Sequence, residues 1–175
     1  MSPTTPAAPR CGCALLGSGA AGPRYDEQSA PAAPAPGDCP PFRFPVELVP
    51  FTQHLDVRPA GPARPLAGGD TAELLAWIRL RRRELTGPQA LLVLADALPP
   101  ALYATTTAPV PMPSADLAVH LGPDASQAEP DGWFLVRLAT MTAGDGWSID
   151  RATVWAAGGR LLASATQTRR ILTGE

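Results

Sequence analysis

Two polar residues stand alone in apolar surroundings, and their side chains suit proton transfer. Asp96 lies in residues 91–98, where the other seven positions are Leu, Val and Ala. Gln167 shares a face of its predicted strand with four apolar residues, Leu161, Ala163, Ala165 and Ile171. A buried carboxylate and a buried amide both need hydrogen-bond partners. We therefore expect the NH₂ group of Gln167 to donate to the Asp96 carboxylate, which would be placed to act as a general base.

The helix that carries Asp96 is predicted from its two ends. Thr86 is a suitable N-cap and Pro88 a suitable first-turn residue, while Pro99 would end the helix at Leu98. A helix that is apolar on every side has no solvent face, so we expect it to lie in the centre of a domain. Aspartate is also a common turn residue, so the sequence alone equally allows Asp96 to be only a cap before Pro99.

The strands are predicted from alternating apolar and polar residues. For residues 71–85 a helix is a competing interpretation, and we favour the strand. Tight turns at 143–146 and 158–159 make the last three strands an antiparallel meander. The predicted strands lie in residues 51–58, 71–85, 114–121, 133–142, 147–156 and 160–172. One sheet curled around a buried helix is an α+β arrangement that resembles a single hotdog domain.

Composition limits the possible classes of protein. The 175 residues suffice for one domain with a real core, and a net charge of −2 gives no sign of a nucleic-acid partner. No apolar run approaches the ~20 residues of a membrane span, and we expect a cytoplasmic location. Residues 1–41 are rich in Pro, Ala and Gly and are predicted to be a disordered tail, so that residues 42–175 form the domain. Deleting this tail is expected to leave the melting temperature nearly unchanged.

The cysteines do not indicate a metal site or a nucleophile. Cys11, Cys13 and Cys39 all fall in the predicted tail, no histidine lies near them, and zinc prefers four ligands. We expect no metal ion and no cofactor.

Three segments carry a resemblance to a known family. They are Leu-Ala-Asp-Ala-Leu-Pro-Pro at 94–100, Pro-Ser-Ala-Asp-Leu-Ala-Val-His at 113–120 and Gly-Arg-Leu-Leu-Ala-Ser-Ala-Thr-Gln-Thr at 159–168. Together they resemble the C-terminal hotdog half of the acyl-CoA thioesterase II-like superfamily, and the similarity extends over residues 51–172.

The resemblance implies a reaction and three site residues. In that family an Asp on the central helix, a Thr or Ser at the start of the next strand and a Gln on the last strand position the hydrolytic water. These positions correspond here to Asp96, Ser114 and Gln167. The implied activity is hydrolysis of an acyl-CoA thioester to free fatty acid and CoA, with Asp96 as the base and no covalent acyl-enzyme. The alternative is a non-catalytic acyl-binding or interaction half-domain of a double-hotdog protein.

Two features depart from the family pattern. The family usually carries two fused hotdog halves and only one is visible here, so we expect a homodimer or a dimer of dimers. Strict alternation also places Ser114 on the polar face of its strand with Asp116 and His120, unless the prolines at 111 and 113 bend the start of the strand.

Other polar residues have plainer interpretations. His120 could be a base, but a lone histidine on the polar face of a strand is more often solvated, and the case for His54 is weaker. The basic run of Arg79, Arg81, Arg82 and Arg83 suits either a solvated edge or the phosphates of CoA. The tryptophans at 133, 147 and 155 are expected to pack on the sheet.

Overall fold

Six antiparallel strands and one α-helix are the regular elements of the fold in the part of the chain that the structure describes. The computed structural model describes residues 22, 23, 25, 28–47, 49–81, 84–129 and 131–172. The strands are β1 (Leu55–Pro59), β2 (Glu73–Leu80), β3 (Ser114–Leu121), β4 (Phe134–Gly144), β5 (Trp147–Ala156) and β6 (Leu161–Arg170). They form one sheet in the order β1-β2-β4-β5-β6-β3, and α1 (Gly87–Ala95) lies between β2 and β3 in sequence. The predicted α+β class is confirmed.

The helix begins as the sequence predicts and ends three residues earlier. The Thr86 backbone N–H donates to Gln89 Oε1 at 2.9 Å, and Pro88 lies in the first turn, where a missing N–H is harmless. The last helical residue is Ala95, and the Asp96 N–H closes the final turn on the Val93 carbonyl. Asp96 is therefore the C-cap, so its side chain leaves the helix just where the chain turns away.

The core lies between α1 and one face of the sheet, which we call the inner face. Leu91 and Leu94 of the helix and Ile78 of β2 have no exposed surface and belong to a single apolar cluster with β4, β5 and β6. The expected absence of a solvent face is wrong, because Leu92 is 47% exposed and Val93 37% exposed. The sheet covers the helix from one side only. None of the helices in the described ranges is long and apolar enough to cross a bilayer.

All six predicted strands are present, but the predicted ranges are too long for β1 and for β2. Residues Pro50–His54 form a 3-10 helix, and the first strand starts only at Leu55. Pro50 cannot donate a ladder hydrogen bond, and the Thr52 hydroxyl donates to the Val49 carbonyl at 2.6 Å, which holds the chain in a local turn. The predicted turn at 143–146 is a two-residue hairpin in which Asp145 and Gly146 have φ of 50° and 77°.

Residues 28–41 are not a disordered tail in the structure. They cross the outer face of the sheet, where the Trp77 indole N–H donates to the Pro34 carbonyl at 2.8 Å and that of Trp155 to the Gln28 carbonyl at 3.0 Å. Cys39 is 4% exposed and belongs with Trp77 and Trp155 to a second apolar cluster, on the outer face. An extended proline-rich segment leaves its carbonyls free, and buried indoles need acceptors. Residues 1–21 of the predicted tail lie outside the described residues.

Deleting residues 1–41 is expected to lower the melting temperature by several degrees, contrary to what composition suggests. The deletion uncovers Trp77 and Trp155 and leaves both indole N–H groups without their carbonyls, at a cost of ~1–3 kcal/mol each if they stay buried. Thermal unfolding followed by circular dichroism would compare this variant with one that lacks only residues 1–21. Equal melting temperatures for the full chain and the 1–41 deletion would show that the segment contributes nothing.

Candidate active site

Three elements meet at one end of the inner face. Asp96 follows the last turn of α1, Ser114 begins β3, and Gln167 lies near the end of β6. Gln167 Nε2 donates to Asp96 Oδ1 at 2.9 Å and to Ser114 Oγ at 2.5 Å. The structure therefore brings all three sequence-predicted site residues together, and the expected hydrogen bond between the lone amide and the lone carboxylate is present.

A β-bulge explains how Ser114 reaches this cluster. The pairing of β3 with β6 shifts between Ser114 and Asp116, so Ser114 lies opposite Arg169 and Asp116 opposite Thr168. The extra residue reverses the alternation, as a bulge does. Ser114 thus shares the inner face with Leu117, and the expectation that it lies with Asp116 and His120 is wrong.

Arg169 is a site residue that the sequence analysis missed. Its side chain is 6% exposed, and its Nη2 donates to Gln167 Oε1 while its Nη1 donates to Ser114 Oγ at 3.3 Å. A guanidinium has donors only, so the amide oxygen of Gln167 must face it. The NH₂ group is then turned toward Asp96 and Ser114, which fixes the amide orientation that the cluster requires.

Arg169 is held in turn by a carboxylate with no exposed surface. Its Nε donates to Asp150 Oδ2 at 2.8 Å, and the Thr140 hydroxyl donates to Asp150 Oδ1 at 2.7 Å. A buried ion pair of this kind is tolerated because both charges are compensated and hydrogen-bonded. The sequence does indicate that both residues face the core. Arg169 falls in the same alternating row as Gln167, and Asp150 falls in the same row of β5 as Ala152 and Val154.

The Asp96 side chain is less buried than its apolar neighbours suggest. It is 48% exposed, although Ala95 and Ala97 on either side are buried. The helix ends before Asp96, so its side chain points out of the core. Arg169 Nη2 lies 3.7 Å from Asp96 Oδ1, so a positive charge lies close to the carboxylate, and the exposed part of the Asp96 side chain remains accessible to water.

A cavity of about 320 Å³ opens onto this cluster. Asp96, Ser114 and Arg169 form one part of its lining, and Phe44, Leu98 and Met112 are among its apolar walls. Ligand cavities commonly combine apolar walls with a few convergent polar groups. The arrangement can therefore hold an apolar chain beside a carboxylate, a hydroxyl and a guanidinium group.

Tyr103 also lines the cavity, as a neutral donor. Burial raises the pKa of its phenol above the ordinary value, against the opposing effects of the Arg169 charge and of the hydrogen bond to Val110. The phenol O–H donates to the Val110 carbonyl at 2.5 Å. Because it stays protonated and is already engaged, Tyr103 shapes the cavity and is not a base.

The other polar candidates lie away from the cluster. His120 is exposed on the outer face of β3, opposite Ser164, and His54 ends the 3-10 helix before β1. Trp155 is buried on the outer face as expected, whereas Trp147 is 44% exposed under the Arg170 guanidinium. Cys11, Cys13, Arg82 and Arg83 lie outside the described residues.

The six-stranded antiparallel sheet and its central helix place this protein in the hotdog class of folds. The chain belongs to the acyl-CoA thioesterase C-terminal domain family, whose model matches residues 36–171. The family resemblance seen in the three sequence segments is thereby confirmed. None of the curated proteins compared with the chain matches it.

Solved structures share the fold. A hotdog protein of unknown function from Alicyclobacillus acidocaldarius has 24% identity and a TM-score of 0.78, over 87% of this chain and 58% of that one. A protein from Thermobifida fusca YX with the provisional description thioesterase II has 29% identity and a TM-score of 0.68, over 87% and 57%. The acyl-CoA thioesterase II TesB2 of Mycobacterium marinum has 22% identity and a TM-score of 0.68, over 89% and 60%. This chain thus spans under two thirds of each.

Proposed function

We propose that the protein hydrolyses acyl-CoA thioesters to free fatty acid and CoA. The observation that carries the proposal is the hydrogen-bonded cluster of Asp96, Gln167 and Ser114 at the mouth of an apolar cavity, in a chain of the acyl-CoA thioesterase family. The apolar walls would take the acyl chain, and the polar cluster would face the thioester.

The proposed reaction uses water as the nucleophile. Asp96 takes a proton from a water held by the Ser114 hydroxyl, and the water oxygen attacks the thioester carbonyl carbon. The tetrahedral intermediate then breaks its carbon–sulfur bond, and Asp96 returns the proton to the CoA thiolate. Gln167 supports this chemistry by donating to Asp96 Oδ1, which fixes the carboxylate without taking its charge away.

Release of free thiol from a panel of acyl-CoA substrates tests the proposal. Thiol formation that follows acyl chain length and requires Asp96 would support it. The competing function is a non-catalytic acyl-binding half-domain. The observation that favours it is the 48% exposure of the Asp96 side chain in the single chain, because a catalytic base normally works in a site from which water is excluded. Acyl-CoA binding without thiol release on any substrate would establish that function instead.

We further propose that the domain works as a homodimer or a dimer of dimers. β3 pairs with β6 on one side and forms an edge of the sheet, and exposed edges tend to pair or be covered. Leu117 and Leu121 on its inner face are about 40% exposed, and α1, which contacts β3, has Leu92 and Val93 exposed. A second copy over this surface would cover the helix and close the site.

Light scattering at micromolar concentration is expected to report at least a dimer, with an interface above ~1,200 Å² in total. Leu121→Glu places a charge on the exposed inner face of β3 and should shift the chain toward monomer with reduced hydrolysis. Arg151→Glu, on the exposed outer face of β5, is the matched control and should not change the mass. A stable monomer with full activity would contradict the proposal.

A further inference from the structure

A second cavity, of about 230 Å³, lies beside the first one and is strongly basic. Among the described residues that line it are Arg43, Arg58, Arg79 and Arg81, with Asp56 as the carboxylate among them. The lining therefore carries an excess of three positive charges. In a protein whose net charge is −2, such a local concentration of guanidinium groups is unexpected unless it meets an anion.

Two of these guanidinium groups are held by Asp56. Arg79 Nη2 donates to Asp56 Oδ2 at 2.8 Å, and Arg81 Nε donates to Asp56 Oδ1 at 2.9 Å. Burial alone would raise the pKa of the Asp56 carboxyl, but the hydrogen bonds from Arg79 and Arg81 outweigh burial and the pKa lies below its ordinary value. Asp56 therefore stays ionised and fixes both arginines side by side.

Arg58 is fixed by different partners. Its Nη1 donates to the Pro36 and Cys39 carbonyls, each at 2.9 Å, so the ordered segment 28–41 holds it in place. Arg58 and Arg79 both stack on the Trp133 ring, with the guanidinium carbons 5.4 and 4.8 Å from the ring centroid. Because each guanidinium has five N–H donors, these contacts leave donors free, and little side-chain entropy remains to be lost on binding.

The two cavities share part of their walls. Phe44 and Thr52 line both the basic cavity and the cavity that contains Asp96 and Ser114. The two cavities therefore adjoin each other at Phe44 and Thr52, a placement that would let one long ligand with its reactive end at Asp96 extend into the basic cavity. Such a ligand would be apolar and reactive at one end and multiply anionic at the other.

We infer that the basic cavity binds the phosphate groups of the CoA portion of the substrate. The inference rests on the proposed function, because it takes the reactive end of the ligand to be a thioester. Guanidinium groups recognise phosphate oxygens through paired, charge-assisted hydrogen bonds, which a fixed set of arginines makes with little rearrangement. The cavity then distinguishes CoA thioesters from thioesters that carry no phosphate.

The test compares two thioesters that share an acyl group, an acyl-CoA and the corresponding acyl-pantetheine, which lacks the phosphates. The variants are Arg43→Gln, Arg81→Gln and their combination, with Arg151→Gln on the exposed outer face of β5 as the matched control. We expect KM for acyl-CoA to rise about tenfold or more in the double variant while kcat and all constants for acyl-pantetheine stay near wild type. Equal losses on both substrates, or an unchanged KM, would overturn the inference.

A binding measurement separates this inference from the proposed hydrolysis. Calorimetric titration with CoA itself needs no catalysis, and the Arg43→Gln and Arg81→Gln variants should bind it more weakly than wild type, with a smaller dependence on salt. Arginine-dependent CoA binding in a protein that releases no thiol would support the cavity and reject the thioesterase. Thiol release together with arginine-independent CoA binding would reject the cavity alone. Melting curves identify any variant that fails to fold, and Arg43→Gln leaves the Asp56 pairs intact.

Discussion

Asp96→Asn is expected to lower the rate of thioester hydrolysis by ~10²-fold or more while the fold survives. Asparagine has nearly the same shape as aspartate, and its carbonyl oxygen can still accept the hydrogen bond from Gln167 Nε2. It cannot take a proton from water. Because the side chain is 48% exposed, the lost charge should change the melting temperature little.

A matched control is available on the neighbouring strand. Asp116 also carries an exposed carboxylate on β3, and it accepts a hydrogen bond from the Thr168 backbone N–H at 3.2 Å, but the bulge keeps it off the inner face. Asp116→Asn should therefore leave hydrolysis near wild type. Wild-type turnover by Asp96→Asn on every acyl-CoA in the panel would show that Asp96 is only the cap of α1.

The coupling between Asp96 and Gln167 can be measured with a double-mutant cycle. Gln167→Ala removes the donor at 2.9 Å from Asp96 Oδ1 and should also reduce hydrolysis. If the two residues act on one water, the double mutant should hydrolyse acyl-CoA little more slowly than either single mutant, because losing either residue already abolishes their joint effect on the rate. Fully additive losses would indicate two independent roles.

Local patterns in the sequence were sufficient for most of the fold. The N-terminal signals at Thr86 and Pro88 mark the start of α1, and alternation finds β2 to β6, because these features depend only on neighbouring residues. The pairing of Asp96 with Gln167 was also predictable, since each is a polar residue in an apolar row and needs a partner.

Features that depend on distant contacts were not predictable. The bulge that turns Ser114 inward is set by the pairing of β3 with β6, and alternation alone gives the opposite face. Residues 28–41 have no apolar period, yet they are held because Trp77 and Trp155 need acceptors that the backbone supplies. The partner of Arg169 lies 19 residues earlier on another strand, so alternation marks both residues as inward-facing but only the strand register pairs them.

Arg169→Met is expected to cost ~3–5 kcal/mol of stability, because it leaves the Asp150 carboxylate buried without its charge partner. The same change removes the donor to Gln167 Oε1, so the amide is free to rotate and hydrolysis should fall. Chemical denaturation would measure the first effect and thiol release the second. An unchanged denaturation midpoint would mean that the pair is not desolvated in solution.

Combining Arg169→Met with Asp150→Leu separates stability from positioning. The double variant replaces the ion pair by apolar side chains, which in buried sites is often neutral or stabilising, so most of the lost stability should return. Hydrolysis should not return, because the Gln167 amide oxygen has lost the guanidinium that fixed its orientation. We expect the loss to fall on kcat, since Arg169 acts on the reacting cluster through Gln167. A double variant that regains both stability and kcat would show that Arg169 serves the fold alone, and that Gln167 needs no such partner to hold Asp96.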